Sequence, residues 1–90
     1  MYGKNLVFKV DFSRKSLKQL QSIDRQNQIR IKEAVKKLEI YPPGIEIGKV
    51  KKYSDVFKLR VGDWRIFFRY KFLTYQVEII SIRLRDKAYK

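Results

Sequence analysis

The sequence contains neither cysteine nor histidine, and these two absences remove whole classes of function. Without cysteine there is no disulfide framework, and without both residues there is no zinc finger or iron–sulfur site. Serine–histidine and cysteine–histidine nucleophiles are excluded for the same reason. Acidic residues are also scarce, nine against 22 lysines and arginines, which argues against a carboxylate cage for a metal ion. We therefore expect no metal and no cofactor.

Ninety residues are enough for one small core, and we expect a single domain over residues 1–90. The hydrophobic fraction of 44% is typical of a globular protein. No apolar run approaches the roughly 20 residues of a membrane span, and no secretory signal follows Met1. The expected location is the cytoplasm, with no membrane partner.

The formal net charge of +13 exceeds what solubility requires. Such an excess is typical of proteins that bind a polyanion, either a nucleic acid or an acidic protein. The alternative is the solvated surface of a small, highly charged protein. We favour a polyanionic partner.

Hydrophobic periodicity predicts one strand, two helices and a run of further strands. Residues 6–10 form the first strand, and Ser13 and Asp24 are the N-cap candidates of the two helices. The Pro-Pro-Gly run after Tyr41 ends the second helix. Three stretches of β character follow, at residues 56–61, 64–72 and 75–84. We predict an α+β two-layer sandwich with an N-terminal strand, a helical hairpin and three to four antiparallel strands.

Most basic residues of the two predicted helices lie outside the apolar stripe that faces the core. Arg30 and Lys37 are among them, and we interpret them as ordinary solvated charge. They are therefore left out of the candidate site.

A two-residue turn at Gly62-Asp63 fits a type II′ hairpin, because glycine occupies the first central position. The resulting register pairs Val61 with Trp64 and gives apolar partners along the whole of one face. On the other face it sets Arg60 opposite Arg65, and like charges in that arrangement repel each other. A sheet built only for solubility would mix the two signs there.

The next hairpin supplies an acidic partner for one of these cations. A turn of two or of four residues gives the same register, in which Glu78 lies across from Arg69 and Ile82 beside Arg65. Arg69 is therefore expected to be structural. In this register Arg83 lies at the edge of the core face.

The candidate site combines four cations and one aromatic ring: Lys58, Arg60, Arg65, Arg85 and Tyr89. Arg85 and Tyr89 are four residues apart, so both can reach back over the strand ends. Taken alone, each of these residues is explained by a position on the solvent-exposed face of a strand or near the end of the chain. Together they favour a site for a phosphate beside a stackable base.

The basic alternating strand over residues 56–61, the Gly-Asp-Trp-Arg turn and the Arg-x-x-x-Tyr ending resemble the RelE/ParE toxin superfamily. The resemblance implies a toxin of a type II toxin–antitoxin pair with a cognate acidic antitoxin as partner. RelE-type toxins are ribosome-dependent endoribonucleases that cleave mRNA, so the ribosome and mRNA are further implied partners. ParE-type relatives act on DNA gyrase and lack the basic catalytic set. Because this sequence keeps basic residues at those positions, it resembles the RelE branch more closely.

The resemblance also implies roles for individual residues. Lys58, Arg60 and Arg65 fall where RelE-type enzymes hold the cleaved phosphate, and Arg85 and Tyr89 fall at the C-terminal basic and aromatic positions. The implied chemistry is metal-free attack of a ribose 2′-OH on the adjacent phosphate. The cations would stabilise the developing charge.

Arg60 departs from the RelE pattern, which commonly has lysine there, and arginine cannot serve as a base at ordinary pH. Either Lys58 takes over as the base, a ribosomal group assists, or catalysis is slow. Arg83 and Arg85 both count as RNA-binding candidates and compete for the general-acid or phosphate position, for which the spacing to Tyr89 favours Arg85. The alternative functions are a ParE-type toxin that binds gyrase and a degenerate relative that binds RNA or the ribosome without cleavage.

Overall fold

A computed structural model describes residues 5–85 of the chain, and the predicted position of Tyr89 lies outside them. The helices are α1 (Arg14–Gln21) and α2 (Arg25–Lys36), and a 3₁₀ turn (Lys37–Glu39) follows α2. The strands are β1 (Leu6–Val7), β2 (Lys9–Phe12), β3 (Ile40–Tyr41), β4 (Gly48–Lys49), β5 (Phe57–Val61), β6 (Trp64–Lys71) and β7 (Gln76–Leu84). None of the helices in residues 5–85 has the length and apolar character needed to span a membrane.

Both helices begin at the predicted caps. Ser13 Oγ accepts a hydrogen bond from the backbone N–H of Ser16 at 3.1 Å, and Asp24 Oδ2 accepts one from the N–H of Asn27 at 3.2 Å. Hydrogen bonds from the Asn27 side chain and backbone also lower the pKa of Asp24. Because each cap satisfies an amide that lacks a partner within its helix, the predicted starts of both helices are confirmed.

Five strands form one mixed sheet in the order β2-β7-β6-β5-β4, and β1 pairs with β3 separately. The predicted antiparallel run corresponds to β5, β6 and β7, with β4 as a short fourth member. The predicted N-terminal strand is divided in two. Its first part joins β3, whereas β2 lies parallel to β7 at the edge of the sheet. The fold is α+β, as predicted.

The hairpin between β5 and β6 has the predicted register along its ladder. Val61 lies opposite Trp64, and Arg60 lies opposite Arg65. Gly62 has a φ of 59°, the positive value that a type II′ turn requires at its first central position. The short turn therefore fixes which side chains of β5 and β6 share a face.

The two helices pack on one face of the five-stranded sheet. The core there contains Leu20, Ile23, Ile31, Val35, Leu38, Leu59, Val61, Ile66, Phe68, Val77, Ile79 and Ile82. Leu17, predicted on the apolar stripe of the first helix, is 43% exposed. The strand residues that alternate with the core form the opposite face, called here the open face: Lys58, Arg60, Arg65, Phe67, Arg69, Glu78 and Arg83.

Side chains from the start and middle of α1 continue the edge of β7 beyond the end of β2. Ser13 Oγ donates a hydrogen bond to the Ile80 carbonyl at 3.0 Å. The backbone N–H of Ile82 donates one to Gln19 Oε1 at 2.7 Å. These bonds replace those of a neighbouring strand, so β7 remains satisfied where β2 has ended.

Replacing Gln19 by alanine is expected to lower the free energy of unfolding by about 1–3 kcal/mol, because the N–H of the buried Ile82 would lose its partner. Urea denaturation followed by Trp64 fluorescence measures this loss. Gln21→Ala, at an exposed position in the same helix, is the matched control. Equal stability of the two variants would contradict the bridging role of Gln19.

Candidate functional site

Three arginines lie side by side across the three central strands of the sheet. Arg60 on β5 is the register partner of Arg65 on β6, and Arg65 is in turn the partner of Arg83 on β7. We call this set the arginine row. Like charges directly opposed in a sheet are destabilising, so the row weakens the folded state unless something of opposite charge binds to it.

Arg65 at the centre of the row is only 4% exposed. Its Nη1 lies 3.3 Å from the carbonyl oxygen of Trp64 and 3.4 Å from that of Gly62, at the long end of hydrogen-bond distances. No carboxylate among residues 5–85 forms a salt bridge with it. Within residues 5–85 the contacts of this buried cation are two long ones to carbonyls, and a buried charge with so little compensation from those residues favours an anion beside it.

Arg69 shows the opposite arrangement on the same strand. Its Nη1 lies 3.3 Å from Asp55 Oδ2 and its Nε lies 3.5 Å from Glu78 Oε1. Glu78 is also its register partner on β7, as the sequence predicts. Arg69 therefore ties the loop before β5 to the sheet, and its predicted partner is confirmed.

Lys58 stands two residues before Arg60 on the same face of β5. Its stem lies against the backbone of β4, where a Cβ on Gly48 would be 3.4 Å from Lys58 Cε and 3.6 Å from Cγ. In this position Lys58 lines the same cavity as Arg60 and Arg65. The three cations that the sequence groups on one face thus line one site.

That site is a cleft of about 590 Å³, called here the cationic cleft. It is bounded by β5, by α2 and by the segment before β4. The lining contains the cations Arg30, Lys37, Lys58, Arg60 and Arg65, the acid Glu46, and Ala34, Ile45, Ile47, Gly48, Leu59, Val61 and Gly62. Cations outnumber the carboxylate five to one in this lining, so the cleft is suited to an anionic ligand.

Two further cations of the cleft come from α2 and from the 3₁₀ turn that follows it, where the sequence predicts only solvated charge. Arg30 and Lys37 are exposed, as that interpretation expects, and both also line the cavity. A Cβ on Gly62 would lie 3.3 Å from Arg30 Nη2, so the guanidinium rests against the β5–β6 turn. The signal was present in the spacing: Arg30, Ala34 and Lys37 follow one another at intervals of four and three, which places them on one side of the helix.

Arg83 occupies a different place from the one predicted. The expected pairing of Ile82 with Arg65 is wrong, because Ile82 is opposite Ile66 and 3% exposed in the core. The register shifts at Phe67, which pairs with Ser81. One extra residue on β7 forms a β-bulge there, and the bulge turns Arg83 from the core face to the open face.

Arg85, which the sequence spacing favours over Arg83 as the site residue, lies directly after the last residue of β7. Its backbone N–H donates to the Asp63 carbonyl at 2.7 Å, which closes the end of the β6–β7 ladder. Its side chain is exposed, and it does not line the cationic cleft. Tyr89 lies outside the described residues. The structure therefore brings Lys58, Arg60 and Arg65 together in the cationic cleft, whereas Arg83 is the register partner of Arg65 but, like Arg85, does not line that cleft.

Comparison with known proteins identifies the family. The family described as ParE toxin of type II toxin–antitoxin system, parDE, matches residues 10–89. The chain belongs to the RelE/ParE toxin superfamily. Comparison with curated proteins gives no significant match.

Solved structures of RelE toxins share the fold of this RelE/ParE toxin. RelE of the archaeal RelE–RelB complex from Pyrococcus horikoshii is 22% identical, with a TM-score of 0.74 over 89% of this chain and 97% of that one. A chain of the RelBE2 toxin–antitoxin complex from Mycobacterium tuberculosis is 18% identical, with a TM-score of 0.74 over 89% of this chain and 100% of that one. A mutant of Escherichia coli RelE in the free state is 20% identical, with a TM-score of 0.76 over 93% of this chain and 90% of that one. These structural matches confirm the fold that the resemblance implies.

Proposed function

We propose that this toxin is a ribosome-dependent mRNA endoribonuclease of the RelE type. The observation that carries the proposal is Arg65, which is buried between Arg60 and Arg83 and has no carboxylate partner in residues 5–85. Such a charge is costly unless an anion binds beside it. A phosphodiester of RNA is such an anion, and the net charge of +13 favours a polyanionic substrate.

The proposed reaction is attack of a ribose 2′-OH on the adjacent phosphate, without a metal ion. The bond from the 2′ oxygen to phosphorus forms while the bond to the 5′ oxygen breaks, which leaves a 2′,3′-cyclic phosphate and a 5′-hydroxyl. Lys58 is the base that takes the 2′-OH proton, because an arginine does not give up its own proton. Water supplies a proton to the departing oxygen.

The arginine row has the larger part in this scheme. Charge accumulates on the phosphate oxygens as the fifth bond to phosphorus forms, and cations that are already in position stabilise that charge without reorganising. Because Arg65 is buried, it is held in place before the substrate arrives. The ribosome would supply the remaining geometry by holding the message in an attack conformation.

An acidic antitoxin is the proposed protein partner. The structures that this toxin resembles from Pyrococcus horikoshii and Mycobacterium tuberculosis are toxin–antitoxin complexes, the former with RelB. Nine acids against 22 bases in this chain make an acidic partner electrostatically favourable. An antitoxin that covers the cationic cleft would block access of RNA to the arginine row.

A ParE-type function is the second candidate, because the matched family is described as a ParE toxin. In that case the basic surface would dock on a protein target such as gyrase. Arg60 in place of the usual lysine is compatible with loss of RNA chemistry.

Primer extension on cellular mRNA after induction of the toxin tests the proposal. Cuts in phase with codons, together with normal supercoiling of plasmid DNA, are the expected result. Intact message with inhibited supercoiling would overturn the proposal in favour of the ParE-type function. Intact message with salt-sensitive ribosome binding would overturn it in favour of a non-cleaving RNA-binding protein.

A further inference from the structure

A second cavity, of about 430 Å³, opens on the same face of the sheet beside the arginine row. We call it the Ser81 pocket. Its apolar lining includes Val56, Phe67 and Ile80, and its polar lining includes Tyr53, Ser81 and Arg83. Because Arg83 also belongs to the arginine row, the pocket adjoins the proposed phosphate site.

The Ser81 hydroxyl is a hydrogen-bonding group in the lining of this pocket. Ser81 is 6% exposed, yet its hydroxyl forms no hydrogen bond with any of residues 5–85. The equally buried Ser16 differs, since its hydroxyl donates to the Ser13 carbonyl at 3.0 Å. The Ser81 oxygen is not among the buried side-chain atoms of residues 5–85 that lack a partner, and since Ser81 lines the cavity its hydroxyl can bond with a ligand that enters the pocket.

The β-bulge explains why a serine lies here. Ser81 and Ile80 together oppose the single residue Phe67, and all three line the pocket. Ser81 stands two residues before Arg83, and Phe67 stands two residues after Arg65. Residues two apart on a strand are separated by about 7 Å on the same face. The pocket is therefore one side-chain step along the sheet from the arginine row.

The side chains around Ser81 match the chemistry of a nucleobase. Phe67 and Tyr53 offer aromatic rings on which a flat base can stack. The Ser81 hydroxyl both donates and accepts hydrogen bonds, as recognition of a base edge requires. Arg83 can contact the phosphate of the same nucleotide or the face of its base.

We infer that the Ser81 pocket binds the nucleobase next to the phosphate held by the arginine row. Ser81 bonds to the edge of that base and so contributes to sequence preference. The inference rests on the proposed function, because it takes RNA as the substrate of the site. Ser81 and Phe67 are then specificity residues, whereas the row holds the phosphate whatever the base.

Binding of the four nucleoside 5′-monophosphates to the purified toxin, with ribose 5-phosphate as a probe without a base, tests the inference. Amide NMR shifts of Phe67 and Ser81 report occupancy of the pocket. We expect at least one nucleotide to bind more tightly than ribose 5-phosphate. Ser81→Ala, which removes one oxygen atom, is expected to reduce that advantage roughly five- to tenfold. Ser54→Ala, at an exposed serine of the neighbouring loop, is the matched control and should change nothing.

Equal binding of nucleotides and ribose 5-phosphate would overturn the inference. So would binding of the antitoxin, and of no nucleotide, at Phe67 and Ser81, because the pocket would then serve a protein partner. Cleavage-site mapping separates the two proposals. If Ser81→Ala cuts mRNA with an unchanged base preference, the pocket assignment fails and the endoribonuclease stands. If no mRNA is cut but the base-dependent binding persists, the endoribonuclease fails and the nucleotide pocket stands.

Discussion

Arg65→Met is expected to reduce ribosome-dependent mRNA cleavage by about 10²–10³-fold, the loss typical of removing one preorganised group that stabilises transition-state charge. Methionine keeps most of the apolar stem of arginine and removes only the charged end. The protein is expected to keep or gain stability, because the substitution removes a buried cation that stands between Arg60 and Arg83. Primer extension on a defined message with purified ribosomes measures the cleavage, and urea denaturation measures the stability.

The combination of lost activity and retained stability is what distinguishes a functional cation from a structural one. Arg25→Met is the matched control, because Arg25 is exposed at the start of α2 and lines neither the cationic cleft nor the Ser81 pocket. It is expected to cleave like the wild type. Cleavage by Arg65→Met at the rate of Arg25→Met would show that the arginine row is not the phosphate site. A drop in stability without a drop in cleavage would make Arg65 a packing residue.

Arg83→Met is expected to cost about 10²-fold in the same assay, and Arg85→Met clearly less. The reason is the register of β7: both side chains are exposed, but Arg83 lies opposite the buried Arg65, whereas Arg85 lies beyond the end of the strand. Single-turnover rates at saturating ribosome concentration report the chemical step. Arg14→Met, at an exposed position in the first turn of α1, controls for the general effect of removing one positive charge.

The ranking of these two variants tests the structural assignment against the one made from sequence spacing. A larger loss for Arg85→Met would mean that the spacing to the C-terminal aromatic position, and not the row, defines the site. Equal and small losses for both would confine the phosphate site to Lys58, Arg60 and Arg65. Each outcome changes which part of β7 is assigned to RNA.

Local rules were enough to predict the β5–β6 hairpin and both helix starts. The turn at Gly62 needs a positive φ, and the apolar partners Val61 and Trp64 fit only one register. Ser13 and Asp24 bond to amides three residues away. Interactions this short in sequence are fixed by the residues themselves, and so are the positions of Arg60 and Arg65 that follow from the hairpin.

The β-bulge on β7 was not predicted, although the sequence holds a clue to it. Isoleucines at 79, 80 and 82 give apolar residues at both odd and even positions of the strand. Alternation alone therefore cannot decide which set of positions faces the core. The straight phase would turn Ser81 and Arg83 toward the core beside Trp64. The cost of burying a serine and an arginine there is what favours the bulged phase.

The position of β2 and the cationic contribution of α2 depend on packing between distant parts of the chain. Nothing local specifies that β2 lies parallel to β7, with Val10 opposite Val77. Similarly, the place of Arg30 in the cleft depends on how α2 sits against β5. Long-range packing of this kind leaves only a weak trace in a single sequence.

The bulge has an evolutionary consequence. Because it adds one residue to one side of the β6–β7 ladder, a single codon separates a strand that delivers Arg83 to the arginine row from one that directs it to the core. Deleting that codon would leave the residues of both hairpin turns in place. Insertion or loss of three bases is therefore a short genetic route between a toxin with a three-arginine row and a relative with the same fold but only two arginines in that row.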